Sequence, residues 1–280
     1  MLHRRCGFIF LTCCFTFLSK KIMYYRMKKS IFLIFCLVLL LSAGYYANLA
    51  DPEELFIYIK PEKNQEKPKE SPKDENPPEV LPEIVWGNRN KKQVIFTFDA
   101  GSGIQSLDRI LSVLEKYELK GTFFITGKWA EQNPESLRRI SSAGHEIFNH
   151  TYSHPYLTRT EDEKIIEELN MADEIIYQIT GVSTKPYFRP PYGDRDARVF
   201  EKAFFAGYRA VYWTIDVLDW KEDQGFTKEQ SKARIMDNLK PGTIYLMHIG
   251  DDITGDILDE VFSEIISQGY SIVSLSEGVE

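Results

Sequence analysis

The sequence predicts an α/β protein whose folded part closes as a distorted (β/α)7-type barrel. Three observations lead there. Short apolar runs alternate with longer stretches of helical spacing, the order expected of βα units. Most of the runs are apolar on both faces rather than alternating, as a parallel strand covered by helices requires. Several runs end on an ionisable residue, and an α/β barrel carries its chemistry at the C-terminal ends of its strands.

In chain order, QVIFTF (93–98) is the first strand, and IQSLDRILSVLEKY (104–117) has helical spacing that stops before Gly121. GTFFIT, a helix from Pro134 to Ala143 and the strand HEIFNH (145–150) follow. A longer helix covers Glu161 to Ile179, its opening run EDEKIIEE (161–168) reading as a helix start with a solvated face. The short extended PYFR, helix 196–206 and strand YRAVYW (208–213) come next. Helix 227–239, strand TIYLMH (243–248), helix 256–268 and YSIVSL (270–275) complete the series. Seven or so such units imply barrel closure, and there is no internal repeat.

The 280 residues do not share one character. The net charge of −7 divides into seven basic and no acidic residues over 1–50, and 27 basic against 41 acidic residues over 51–280. That acidic body argues against a nucleic-acid partner. All four cysteines lie in the first 36 residues, so the body has neither a disulfide nor a thiolate metal ligand. Two apolar runs, Phe8–Leu18 and Ile31–Tyr46, each follow basic residues, the form of an export signal with the positive end held in the cytoplasm. The stretch from Met27 reads by itself as a complete signal, making Met27 or Met23 the expected initiator, with a double membrane anchor as the other reading. Cleaved signal and retained anchor both fit. Residues 60–79 hold five Pro, five Lys and six acidic residues and no aliphatic side chain, the composition of an extended stalk. The expected organisation is therefore an export or anchor region at 1–50, a linker at 51–83 and a folded domain at 84–280 that works outside the cell.

Polar residues then fall where the barrel reading needs them: Asp99, His150, Arg189, Asp216 with Asp219, and His248 all follow or end strands. Each alone is weak, since Asp after a strand is often a turn or helix cap. His150 and His154 are four apart; on one helical turn both imidazoles would face one divalent metal, and otherwise they are solvated or hydrogen-bonded side chains. Three of the four histidines in the domain fall at rim positions, which favours the metal reading, whereas His145 opens a strand at the opposite end and is expected to be structural. His248 fits a proton donor or a buried hydrogen-bonded histidine. Arg189, in YFRPPYG, can hold a carboxylate in bidentate fashion, for catalysis or as a plain salt bridge. Asp219 would place an acceptor near His248, and Trp220 an apolar wall or a piece of core.

These clusters, in this order, resemble the polysaccharide deacetylases of carbohydrate esterase family 4, the NodB-homology domain. The resemblance covers roughly residues 84–280 and rests on TFDA (97–100), HTYSH (150–154), RPPY (189–192), DVLDW (216–220) and LMH (246–248). It implies that Asp99 is the general base, held by Arg189, and that His150 and His154 bind a divalent metal, usually zinc. It further implies an oxyanion contact from the backbone N–H of Tyr192, and His248, oriented by Asp219, as proton donor to the leaving amine. One position departs from the pattern: Ala100 stands where the family supplies the carboxylate of an Asp-His-His triad. Water or Asp99 in that place, an indirect contribution from Ser102, or loss of catalysis are the three outcomes.

The activity expected is removal of N-acetyl groups from a cell-surface polysaccharide, with peptidoglycan as the substrate class and the N-terminal segment as the contact with membrane. A catalytically impaired glycan-binding or scaffolding protein of the same fold, or an O-acetyl polysaccharide esterase, are the alternatives. The sequence points to no obligate protein partner.

Overall fold

The computed structural model describes residues 80–280 of the chain. The apolar N-terminal runs, LFIYIK (55–60) and the Pro-rich stretch all lie outside the described residues. Among the described residues no helix is long and apolar enough to cross a membrane.

β1 (Gln93–Ala100) organises the sheet. Its side chains alternate between two apolar layers, the period of two that a pleated strand imposes. Val94, Phe96, Phe98 and Ala100 join the outer cluster, with Leu107, Ile110 and Leu114 of α1 (Leu107–Lys116) and Val261, Phe262 and Ile265 of α7 (Asp252–Ser267). Ile95 joins an inner cluster with Phe124 of β2 (Thr122–Ile125), Phe148 of β3 (Glu146–Asn149), Ile244 of β7 (Ile244–His248) and Val211. Side chains of strands that are not neighbours meet there because the sheet curls. Truncating a fully buried ring such as Phe98 to Ala is worth about 3–5 kcal/mol of stability.

Every strand pairing is parallel, and the sheet runs β5-β4-β3-β2-β1-β7-β6, with β4 at Tyr187–Phe188, β5 at Arg209–Ala210 and β6 at Ile215–Asp216. β8 (Ser271–Val273) pairs with the start of β1, while β2 pairs with its second half. No pairing joins β5 to β6 among the described residues, so the barrel stays open there.

The expected elements are present, with differences in their bounds and with additions. YRAVYW is a strand only at Arg209–Ala210; beyond it Val211 pairs with Ile84 in an isolated parallel bridge, and the Tyr212 N–H donates to the Ile84 carbonyl at 2.8 Å. A helix not foreseen, α2 (Gly127–Gln132), precedes α3 (Pro134–Ser142); it is capped by the Thr126 side chain, which accepts from the Trp129 N–H. α7 begins at Asp252, four residues before the helical spacing indicates, because Ile253 and Thr254 are buried too. The remaining helices are α4 (Asp162–Thr180), ended by Gly181 at φ 74°, α5 (Ala197–Phe205), α6 (Lys228–Asp237) and the short α8 (Leu275–Val279), which the sequence does not foretell and which starts on the last residue of YSIVSL.

Candidate active site

The polar residues singled out in the sequence gather at the C-terminal ends of the strands. Asp99 and His248 are partners across the β1–β7 ladder. Asn149 and Phe188 are partners across β3–β4, so His150 and Arg189 leave adjacent strands side by side.

Asp99 and Arg189 are almost wholly buried, at 5% and 0% exposure, and Nη1 of Arg189 donates to Asp99 Oδ1 at 2.6 Å. The same Nη1 donates to Thr97 Oγ1 at 2.9 Å, while Nη2 goes to the Tyr212 carbonyl at 3.1 Å. The contact with Asp99 is thus through one nitrogen. It is not the bidentate grip that the sequence leads one to expect, because the other arm of the fork is committed to the backbone. The guanidinium also lies 4.1 Å from the centroid of the Phe124 ring. Burial pushes the Asp99 carboxyl up, but Arg189 and the neighbouring histidines outweigh it and hold the group below the usual carboxylate range. Asp99 Oδ2 is left facing His150 Nε2 at 3.4 Å.

His150 and His154 do converge, but by another route than a helical turn. Thr151 and His154 both adopt left-handed backbone conformations, at φ 65° and 62°, and the chain folds back sharply between them. The two Nε2 atoms come to 3.2 Å. His150 Nδ1 donates to the Arg189 carbonyl at 2.8 Å, which leaves its Nε2 lone pair pointing at His154. Burial lowers the affinity of both rings for protons, taking His154 to about 3, with His150 adding to the effect. Two neutral imidazoles with facing nitrogens and a carboxylate oxygen beside them are a donor set that fits a divalent cation.

A second group that could hold a metal is Asp219, His248 and Asp251, whose ligand atoms lie within 4.8 Å of one another. Its hydrogen bonds fit a proton-handling pair better. Asp219 is fully buried; Oδ1 accepts from His248 Nδ1 at 2.9 Å and from the Trp220 N–H at 3.0 Å. Oδ2 accepts from the His248 N–H at 2.6 Å and from Thr254 Oγ1. Both oxygens are engaged with protein donors. Burial lowers the His248 pKa, but the charge and hydrogen bond of Asp219, together with Asp99 and Asp251, raise it to about 9.

Aromatic side chains frame the rim. Tyr192, at φ 59° and 57% exposed, stacks on Tyr156 at 4.1 Å and meets the His154 ring edge-on at 4.4 Å. Trp220 is 43% exposed and donates through Nε1 to Asp216 Oδ2 at 3.2 Å, so it belongs to the rim and not the core. Asp216 also caps its own turn, accepting from the Leu218 N–H at 2.8 Å. His145 sits at the far end of the sheet, where Nδ1 accepts from the Gly121 N–H at 3.2 Å.

A family model described as polysaccharide deacetylase matches residues 87–211. The chain is 31% identical to peptidoglycan-N-acetylmuramic acid deacetylase PdaA of Bacillus subtilis (strain 168), over 87% of its own length and 93% of that protein. It belongs to the polysaccharide deacetylase family. A peptidoglycan-N-acetylglucosamine deacetylase of Bacillus cereus is 32% identical over 68% of this chain and 72% of its own. Among solved structures, one described as a carbohydrate esterase family 4 pseudoenzyme of Bacillus anthracis matches with TM-score 0.68 and 30% identity, covering 72% of this chain and 70% of that one. A mutant of that protein, described as having restored enzymatic activity, matches with the same TM-score at 31% identity, covering 72% of each chain.

In this polysaccharide deacetylase Ala100 is wholly buried and belongs to the outer apolar cluster with Phe98 and Ile125. Ser102 is exposed. Three further side chains contribute, to which the sequence assigns no site role. Thr97 could have been found from its spacing, two residues before Asp99 and so on the same face of β1. Asp251 and Glu168 carried no such signal, one lying in a loop and the other at the end of a run read as solvated, although Glu168 is only 3% exposed.

Proposed function

We propose that this chain removes N-acetyl groups from amino sugars of peptidoglycan, a hydrolysis of a carbon–nitrogen bond that is not a peptide bond. The observation that carries the reading is the pairing of two oppositely tuned groups on one ladder: Asp99, held ionised by Arg189, and His248, held protonated by Asp219. Such a pair separates base and acid duties at one site.

His150 and His154 would hold a divalent metal, zinc in this reading, which when bound polarises the acetamide carbonyl. Asp99 Oδ2 takes a proton from the water whose oxygen attacks the carbonyl carbon. The Tyr192 N–H faces the negative charge that develops on the carbonyl oxygen. His248 gives its proton to the sugar nitrogen as the C–N bond breaks, leaving acetate and a free amine. Arg189 and Asp219 do not touch substrate; they position and charge the two groups that do. The relatives named for peptidoglycan support the substrate class. An export or anchor region at 1–50 and a stalk at 51–83 ahead of a deacetylase domain at 84–280 would set it on the wall side of a membrane.

A second reading, a glycan-binding protein with an impaired site, is favoured by one observation: Ala100 supplies no ligand atom. The two are separated by metal content and acetate release from N-acetylated glycan oligomers and peptidoglycan. Activity that is lost in Asp99→Asn and in His248→Ala is expected. Absence of both metal and acetate at every added zinc concentration rejects the enzyme reading.

A further inference from the structure

Among the described residues the longest helix, α4, sends one carboxylate inward without a cation. Glu168 of α4 is 3% exposed, and the neighbouring charges of that helix pair elsewhere, Lys164 with Glu167 and Asp162 with Arg198. Among the described residues the side-chain hydrogen bonds of Glu168 all go to Ser153: Oε2 accepts from the backbone N–H and Oε1 from the hydroxyl, each at 2.7 Å. A buried carboxylate spent on one serine calls for a reason beyond solvation.

Ser153 immediately precedes His154, and the backbone here is one that L-residues avoid, with Thr151 and His154 both left-handed. The turn is fastened at several points. Thr151 N–H donates to Asn149 Oδ1 at 2.8 Å, the carbonyls of Thr151 and Tyr152 accept from Gly127 and Lys128 of α2, and the His154 N–H reaches Thr151 Oγ1 at 3.2 Å. The two histidines are not fixed alike. His150 is oriented by the Arg189 carbonyl, whereas among the described residues the His154 ring hydrogen-bonds, outside its own residue, to His150 alone. The direction of His154 therefore depends on its backbone and on the Tyr192 ring packed edge-on against it, and Glu168 grips the residue beside it from a separate helix.

We infer that Glu168 is a positioning residue that presets the His150–His154 pair for a divalent cation. It does so through Ser153 and not by touching metal or substrate. The inference rests on the metal reading proposed above.

The test is zinc affinity of the full-length protein, measured by competition with a chromophoric chelator, with thermal unfolding of each metal-free variant alongside. Glu168→Ala should weaken zinc binding about tenfold or more, the scale of outer-shell partners in metal sites. Glu168→Gln should recover most of the loss, because its amide offers an acceptor to the Ser153 N–H and a donor to the hydroxyl. Ser153→Ala keeps the N–H bond and should fall between; it also carries the test if the Glu168→Ala protein does not fold. Folded Glu168→Ala or Ser153→Ala proteins that bind zinc like the wild type overturn the inference. So does a Glu168→Gln protein as weak as Glu168→Ala, which would make charge and not position the cause. A wild type that binds no zinc overturns the metal reading as well, so the two failures are distinguishable.

Discussion

Arg189 reaches Asp99 from the next-but-two strand of the sheet, with Nη1 2.6 Å from Oδ1 and both side chains sealed from solvent. Its other arm holds the Tyr212 carbonyl, and its own carbonyl holds His150, so one residue joins the candidate base, the candidate metal ligand and the edge of the barrel. Removing one partner of such a pair strands a buried charge, at a cost of about 3–5 kcal/mol. Arg189→Met should lower stability by that order in urea denaturation, and Asp99→Asn in the same background should restore part of it. An Arg189→Met protein as stable as wild type would contradict the described geometry.

The second expectation concerns pH. His248 has its pKa raised to about 9, so its contribution to stability is fully present below about 6.5 and is lost as pH rises through about 9. The rise corresponds to about 3 kcal/mol at full protonation. Stability of the wild type should therefore fall between these pH values, and in Asp219→Asn the fall should shrink. The alkaline limb of the deacetylation profile should move to lower pH in the same variant. Profiles of kcat/KM for the two proteins check this.

Ala100 gives the third. A carboxylate placed by Ala100→Asp lies against Phe98 and Ile125, where an uncompensated charge is unfavourable. The metal-free variant should melt below the wild type, and added zinc should raise its Tm by more than it raises that of the wild type. Acetate release should rise in parallel. Equal zinc-induced shifts in the two proteins would mean that position 100 does not reach the cation.

The fourth concerns the other end of the barrel. The Glu146 carboxylate accepts from Thr122 Oγ1 at 2.7 Å, from Ser274 Oγ and the Leu275 N–H at 3.0 Å, and from the Ser276 N–H at 3.2 Å. It ties β2 and β3 to the start of α8. Glu146→Ala should cost about 2 kcal/mol or more, since it leaves several donors unpaired. Because the staple is remote from the rim, KM of the folded fraction should stay unchanged.

Much of this architecture was legible in the chain, for identifiable reasons. QVIFTF and TIYLMH are long apolar runs whose side chains fill both layers, and the residues that end them, Asp99 and His248, could be placed at the rim by counting. What depended on backbone dihedrals was not legible. Nothing in HTYSH announces left-handed residues at Thr151 and His154, so four-residue spacing read as a helical turn. The single-nitrogen contact of Arg189 depends on the Tyr212 carbonyl 23 residues away, and α2 is too short to show periodicity. Glu168 ends a run of charges whose other members look outward, and only the packing of α4 separates it from them.

The register of β1 against β7 has a practical meaning for change in this molecule. Asp99 and His248 occupy opposite sides of a single rung, so their spacing is a property of backbone pairing and not of any loop. Loops above the rim can lengthen, shorten or be exchanged to suit another glycan while that spacing stays constant. A slip of either strand by one residue would instead turn one of the two groups away from the other, so the ladder tolerates loop grafts and forbids strand insertions.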